Sequence, residues 1–369
     1  MKMLRTMIDT PALIVDLDAL ERNIAIMAER AKGWGVSLRP HAKTHKCVAV
    51  ARRQIAAGAV GVACATIDEA EVMAEANLPG ILVTSPLATE RKVRRFADLA
   101  SRRSDLAVVA DHPQHIALLA EAAGQAGVTM SVLVDVDVGD QRTGAATLED
   151  ATDLAQRIAQ APNLRFAGLQ GYAGYIQHIA EFKKRTITAM KVARRLGELR
   201  TRLETLGLAP SVVTGAGTGS HAIDGMGGVF TELQVGSYVF MDADYAKVEL
   251  DDGASGPFEP ALFVQTMVVS ANQQGFVTTD AGTKAFALNG PPPEILRGPA
   301  SGCRYEFQGD EHGRIIFTHG PRLALGDRLE CLVPHCDPTV CLYDRIVAVR
   351  GDEIVDIWPI DARGRRIAA

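Results

Sequence analysis

The feature that most constrains this chain is an alternation of short apolar runs with longer amphipathic ones through about its first 250 residues. The short runs are candidate strands at 37–42, 60–65, 81–85, 106–110, 131–137, 166–171, 211–215 and 232–237. Between them lie HKCVAVARRQIAAG, IDEAEVMAEAN, ATERKVRRFADLASRR, HPQHIALLAEAAGQAG, TLEDATDLAQRIAQAP and a long stretch over about 177–206. Apolar residues recur in these at a spacing of three to four, the pattern of a helix laid on a sheet. Strands that are apolar throughout suit a parallel sheet whose two faces are both covered by crossover segments. Eight β-then-α units predict a closed (β/α)8 TIM barrel, with an open doubly wound sheet as the alternative.

Beyond residue 250 the pattern changes. DDGASGPFEP has no apolar period and reads as a turn-rich linker. The strand-like pieces that follow, ALFVQTMVVSAN, GFVTTDAG, RIIFTHG, DRLECLVPH and RIVAVRGDEIVDIW, have no long helices between them, and VRGDEIVDI has the shape of a hairpin. The expected organisation is therefore a barrel over 9–250 and a mainly antiparallel β domain over 251–369, with residues 1–8 packing on the latter. The 39 basic and 44 acidic residues give a net charge of −5 without any long Lys/Arg block, which excludes a dedicated nucleic-acid surface. No run approaches the length of a membrane-spanning helix, and the N-terminus lacks the apolar core of a secretory signal. A cytoplasmic protein with no membrane partner is expected. The six cysteines, at 47, 64, 303, 331, 336 and 341, form no C-x-x-C pair and read as reduced thiols.

Three segments could carry chemistry. RPHAKTHK, 39–46, ends the first barrel strand, where barrels place catalytic groups. A lysine pointing inward there, Lys43, would be partly desolvated and its pKa would fall toward the range of a Schiff-base nucleophile; a solvated basic turn is the other reading. TGAGTGS, 214–220, and QVGSYVF, 234–240, follow the seventh and eighth strands. Closely spaced glycines and hydroxyls there can cradle a phosphate, although each loop alone also suits a tight turn. Taken with Lys43, they point to a phosphorylated aldehyde cofactor, for which pyridoxal phosphate is the best-known candidate. His335 and Asp337 stand at i and i+2, so on an extended segment both side chains face one way. An imidazole and a carboxylate suit Mn²⁺ or Mg²⁺; the alternative is a surface turn.

TPALIVDLDALERNI followed by RPHAKTHK resembles the alanine-racemase-like (fold type III) pyridoxal-phosphate enzymes, in particular the branch that holds D-threonine aldolases and D-serine dehydratases. DVDVGDQRTG, LQGYAGYIQH, TGAGTGS, ELQVGSYVFMD and VPHCDPTVCLYD extend the likeness, in family order, across nearly the whole chain. The resemblance implies that Lys43 holds the cofactor, that Arg142 lies near its phenolate oxygen and that Tyr172 packs beside it. It implies a phosphate cup made by Thr214, Gly215, Gly217, Thr218, Gly236, Ser237 and Tyr238. Gln234 stands where the racemases place an arginine against the pyridine nitrogen, so racemisation is not the expected main activity. The resemblance makes His335 and Asp337 ligands of Mn²⁺, Mg²⁺ or another divalent cation near the substrate's β-hydroxyl, with Cys336 facing away. The dehydratase branch usually carries His-x-Cys, a softer pair suited to zinc. His178 matches the catalytic base, while His41 and His45 are secondary candidates. The implied reaction is cleavage of D-β-hydroxy-α-amino acids to glycine and an aldehyde. Dehydration of D-serine or D-threo-3-hydroxyaspartate is the alternative, a non-catalytic cofactor-binding protein is a third reading, and a homodimer is implied.

Overall fold

The computed structural model describes residues 3–252, 254, 256–301, 303–317 and 323–364. The chain opens on a strand, β1 (Ala12–Asp16), and a long helix, α1 (Leu17–Trp34). Asp16 caps that helix, its carboxylate accepting from the Ala19 N–H at 3.1 Å, and Gly35 ends it in the left-handed conformation. Eight parallel strands follow: β2 (Ser37–Leu38), β3 (Ala63–Cys64), β4 (Leu82–Val83), β5 (Ala107–Ala110), β6 (Met130–Asp135), β7 (Leu164–Gly171), β8 (Val212–Gly215) and β9 (Glu232–Leu233). They alternate with α2 (Val48–Ala56), α3 (Ile67–Glu75), α4 (Glu90–Ala100), α5 (Pro113–Ala126), α6 (Leu148–Gln160), α7 (Phe182–Thr205) and the short α8 (His221–Met226). Thr66, Thr89 and Thr147 cap α3, α4 and α6 through their hydroxyls.

The sheet closes into the expected barrel. Strand β2 pairs with β9, and a bridge between His41 and Ala63 joins it to β3, with the Ala63 N–H donating to Pro40 O at 2.9 Å. Arg39 braces this closure, its guanidinium 2.7 Å from the Glu232 carboxylate on β9. Strand β6 is buried from end to end and β5 and β8 over their last three residues, as apolar runs covered on both faces must be, while β7 is exposed at Arg165 and buried from Gly168 onward.

The strand β1 departs from the sequence reading. It pairs antiparallel with β10 (Leu262–Ser270) and parallel with β16 (Arg345–Arg350), so Ala12–Asp16 belongs to the second sheet although 9–250 was assigned to the barrel. The ring is cyclic, so a chain entering it through a helix shows the same alternation as one entering through a strand. The structure enters through α1, which takes the place of a helix after β9. Buried Asn23 holds it there, donating to Glu259 O at 2.8 Å and Val239 O at 3.3 Å.

The second sheet also contains β11 (Phe276–Thr279), β12 (Glu294–Arg297), β13 (Arg304–Phe307), β14 (Gly313–Ile316), β15 (Arg328–Leu332) and β17 (Glu353–Pro359). Its order is β11-β14-β13-β12-β15-β10-β1-β16-β17, and β10 also pairs with β11, which closes the first six of these into an antiparallel barrel. VRGDEIVDI is the β16–β17 hairpin, turning at Gly351. Of the expected strand RIIFTHG, residues 318–320 lie outside the described residues, as do residues 1–2 of the N-terminal segment. The remainder of that segment lies on this sheet: Leu4 bridges Glu353, and Arg5 pairs with Glu330 at 2.8 Å. A short helix, α9 (Cys336–Val340), leaves the sheet between β15 and β16 and reaches the mouth of the large barrel. Among the described residues, no helix is long and apolar enough to cross a membrane.

A bulge in β7 carries a test of this packing. The register between β6 and β7 skips a residue just before Gly168, and a Cβ on Gly168 would lie 1.9 Å from the Val212 carbonyl oxygen. Gly168→Ala must push β8 away, and we expect it to cost about 2–3 kcal/mol, read as a lower urea midpoint at unchanged slope.

Candidate active site

Lys43 stands in a single 3-10 turn after β2, Ala42–Thr44, which His41 caps by accepting the Lys43 N–H at its Nδ1, 3.3 Å away. The turn places the half-buried lysine at the barrel mouth, where its Nζ donates to Asp337 Oδ2 of α9. Here the expected fall in pKa is reversed. Burial alone would lower the ammonium, but the Asp337 carboxylate beside it raises it above the ordinary lysine value. Asp337 itself is held well below the usual carboxylate range: burial would raise it, and the Lys43 charge outweighs that. In this state Lys43 is a protonated ion-pair partner and not a free amine.

Two adjoining cavities, of about 250 and 170 Å³, open at this mouth and share His41, Lys43, Tyr172 and Gln234. The larger is also bounded by Thr84, Arg142 and Gln170, the smaller by His178, Gly217, Thr218, Gly236, Ser237 and His335. Most of the residues singled out in the sequence therefore converge. A Cβ at Gly217 or Gly236 would crowd a neighbouring side chain, lying 2.6 Å from Gln177 Oε1 and 2.5 Å from Thr44 Oγ1 respectively. The Thr218 hydroxyl accepts the Tyr238 N–H at 2.9 Å, which leaves its own proton free for a ligand.

Three residues expected in a phosphate cup line neither cavity. Thr214 accepts from Gln234 Nε2 at 3.0 Å, within the barrel. Gly215 sits where β7 and β8 touch, a Cβ there falling 2.1 Å from Gly171 O. Tyr238 is buried, its hydroxyl accepting from Gln54 Nε2 at 3.1 Å. Arg142 reaches the larger cavity from outside. Its side chain is 60% exposed, 3.6 Å from the Asp140 carboxylate and 5.4 Å over the Tyr172 ring.

His178 lies 4.6 Å from the Tyr245 ring, and its Nδ1 is 3.0 Å from Asp244 Oδ2. A carboxylate at that distance accepts a hydrogen bond from the Nδ1–H, which fixes the tautomer and leaves Nε2 as the nitrogen with the free lone pair. Buried Arg185 steadies the segment after it, donating to the carbonyls of Ile179 and Glu249. His41 and His45 are buried and neutral, pushed down to about 3 and about 4 chiefly by burial. His41 lines both cavities; His45 lines neither.

The expected extended His335–Asp337 segment is only half extended. His335 has strand-like angles, but Cys336 opens α9, so Asp337 stands in its first turn. The side chains are sorted by burial: Cys336 is sealed in the core with its N–H on Asp242 Oδ2 at 3.0 Å, while its two neighbours are partly open. His335 Nδ1 is 3.0 Å from the Asn289 amide. Among the described residues no three His, Cys, Asp or Glu side chains form a metal-sized cluster, so this pair is at most part of a coordination shell.

Sequence reasoning missed Asp244, Asn289 and a buried polar row under the larger cavity. In that row Gln170 Nε2 donates to Thr84 O at 3.0 Å and Asp135 Oδ1 at 2.8 Å, and Gln234 Nε2 donates to Gln170 Oε1 at 3.1 Å. The signal was a polar residue at or next to the C-terminal end of a strand, Asp135 on β6 and Gln170 on β7.

Residues 15–244 match the family model described as alanine racemase, N-terminal domain. The chain belongs to this family. Residues 261–349 match the model for a putative serine dehydratase domain. The 3-hydroxy-D-aspartate aldolase of Paracoccus denitrificans (strain Pd 1222) is 38% identical over 97% of this chain and 93% of its own. The D-threonine aldolase of an Arthrobacter species is 38% identical with the same coverage. The crystal structure of D-threonine aldolase from Filomicrobium marinum is 41% identical, covers 98% of both chains and superposes with a TM-score of 0.94. The D-threo-3-hydroxyaspartate dehydratase of Delftia sp. HT23 is more distant, at 26% identity and a TM-score of 0.82, covering 96% of this chain and 98% of its own. This member of the alanine-racemase-like, pyridoxal-phosphate fold family is an enzyme, a carbon–carbon lyase.

Burial pushes the Asp135 carboxyl up to about 6, although hydrogen bonds from Gln170 and Thr143 oppose the shift. Between about pH 4 and pH 6 the folded protein keeps a proton that the unfolded chain releases, so stability falls as pH rises through that window, by up to about 3 kcal/mol. Asp135→Asn can keep both hydrogen bonds without titrating. Its urea midpoint should gain on the parent's between pH 4.5 and pH 7.5.

Proposed function

We propose that this lyase is a pyridoxal-phosphate- and divalent-metal-dependent aldolase that cleaves D-threonine and related D-β-hydroxy-α-amino acids to glycine and an aldehyde. The observation that carries the reading is the meeting of Lys43, His178 and the His335–Asp337 segment at one pair of cavities. Two relatives at 38% identity, named as aldolases of such D-amino acids, support it. In this reading the large barrel, ending near residue 250, holds the cofactor and the β domain supplies the metal ligands. On the resemblance alone, the enzyme works as a homodimer, and its scattered cysteines suit a cytoplasmic location.

The residues present fit both groups. Lys43 is the amine at the cavity junction, and Gly217, Thr218, Gly236 and Ser237 line one wall of the smaller cavity with backbone and hydroxyls. Lys43 would carry the cofactor on Nζ; Gly217, Thr218, Gly236 and Ser237 would hold its phosphate; Tyr172 and His41 would flank its ring. For the metal, imidazole and carboxylate are a suitable hard donor pair for Mn²⁺ or Mg²⁺, and two protein ligands leave positions for water and substrate. Asp337 already attracts a cation, Lys43, in this state.

When bound, pyridoxal phosphate supplies the electron sink for the pair left at Cα when the Cα–Cβ bond breaks. A divalent cation on His335 and Asp337 supplies a Lewis acid beside the β-oxygen. The chain's own part is proton handling. His178 takes the β-hydroxyl proton at Nε2, and Asp244 holds the ring in that tautomer and stabilises the imidazolium that forms. Removing the β-hydroxyl proton in this way directs the reaction to Cα–Cβ cleavage, because the oxygen's electron pair forms the aldehyde C=O as the Cα–Cβ pair leaves toward Cα.

The enzyme reconstituted with pyridoxal phosphate and Mn²⁺ should convert D-threonine to glycine and acetaldehyde, lose that activity to a chelator and regain it with Mn²⁺. Ammonia and a keto acid as products would overturn the aldolase reading, and unchanged activity after verified metal removal would overturn the metal. Lys43→Ala should abolish the near-visible absorbance of the bound cofactor; its persistence excludes Lys43 as the attachment point. Asp244→Asn should lower kcat about ten- to a hundred-fold with little change in KM, because the base is misoriented while the binding surface stays intact.

A further inference from the structure

Gln234 borders both cavities, and its side-chain amide can offer either of two opposite faces, an N–H donor or a carbonyl acceptor. The buried row beneath it decides which. Its far end is the Thr84 backbone carbonyl, which can only accept. Gln170 therefore turns its amino group that way and spends one N–H on Thr84 O at 3.0 Å and the other on Asp135 Oδ1 at 2.8 Å. Reversing Gln170 would set its oxygen against two acceptors at once inside the barrel, an arrangement a buried site does not tolerate. The Gln170 oxygen consequently faces Gln234 and accepts from Gln234 Nε2 at 3.1 Å, while the second N–H of Gln234 goes to Thr214 Oγ1 at 3.0 Å. Both donors of Gln234 are consumed. Its Oε1 has no hydrogen-bond donor among the described residues and is not sealed in the core, so it is the polar atom this side chain offers to the cavity.

We infer that Gln234 presents an acceptor oxygen to the ring nitrogen of the bound cofactor and thereby holds that nitrogen protonated, with Gln170 as the positioning residue that sets the polarity. The inference rests on the cofactor reading given under Proposed function. An unprotonated pyridine nitrogen is itself an acceptor and would face Gln234 Oε1 lone pair to lone pair; a protonated one donates to it. The relay ends on the buried Asp135 carboxyl, so the positive ring is matched through two amides by a carboxylate and not by direct contact with one. A protonated ring draws electrons from the bond being broken more strongly than a neutral one, and no positively charged side chain has to stand at that position.

The test uses the full-length enzyme reconstituted with pyridoxal phosphate labelled with ¹⁵N in the ring. The resonance of the bound cofactor should lie at the protonated end of the scale set by the free compound at acid and alkaline pH, and stay there at pH 7.5. Gln170→Met, which keeps length but removes the amide, should move it toward the neutral end. Gln234→Glu, which keeps an acceptor oxygen, should leave it in place. An analogue with carbon in place of the ring nitrogen should bind the parent about ten-fold more weakly than pyridoxal phosphate, with the difference reduced in Q170M. Should Q170M not fold, the parent's resonance and its analogue affinity decide the matter. A neutral ring in the parent, or a resonance unmoved in folded Q170M, overturns the inference while leaving the cofactor reading intact. Failure of the parent to take up pyridoxal phosphate at all overturns both.

Discussion

One ion pair joins the two halves of this molecule at the place where the chemistry is assigned. Lys43 comes from the first strand-end of the large barrel and Asp337 from a helix that leaves the second sheet. Each sets the other's protonation. Without Asp337 the half-buried lysine would tend toward a neutral amine; without Lys43 the part-buried carboxylate would lose the charge that chiefly holds it ionised. Much of the local architecture serves to present these two groups. The His41-capped turn holds Lys43, the Asp242 carboxylate anchors the start of α9, and sealed Cys336 turns the residues on either side of it toward the opening.

The barrel was legible because its information is periodic. Apolar strands and three-to-four spaced helices are local patterns, and all eight expected strands contain the observed ones or overlap them closely. What was not legible was where the ring begins. The run ALIVD is as apolar as any barrel strand, and its true partners, β10 and β16, lie about 250 and 330 residues further along. Pairing at that distance leaves no local trace.

The site divides in the same way. Lys43, Gly217, Gly236 and His335, which residue type and loop position single out, all line the smaller cavity. Tyr238 and Thr214 lie on the segments the sequence singled out but turn to Gln54 and Gln234, Thr214 from within β8 and Tyr238 from a 3-10 turn, Ser237–Val239, and neither direction is written in residue type. The Lys43 pKa was misjudged because its decisive neighbour is 294 residues away in the chain. The Thr84–Gln170–Gln234 row escaped notice because a single glutamine carries no sign; only its neighbours give it one.

The position of β1 also bears on how the molecule can be made and divided. It lies between β10 and β16 within the second sheet, yet it precedes every residue of the large barrel. As the chain leaves the ribosome, this apolar strand waits with both edges unpaired until the large barrel and β10 have followed it, and with one edge unpaired until β16 emerges. Cutting the gene near residue 250 would release one product with a loose hydrophobic strand and another with a slot in its sheet. The two units are distinct in architecture but interlocked in sequence, and the opening residues of one close the other.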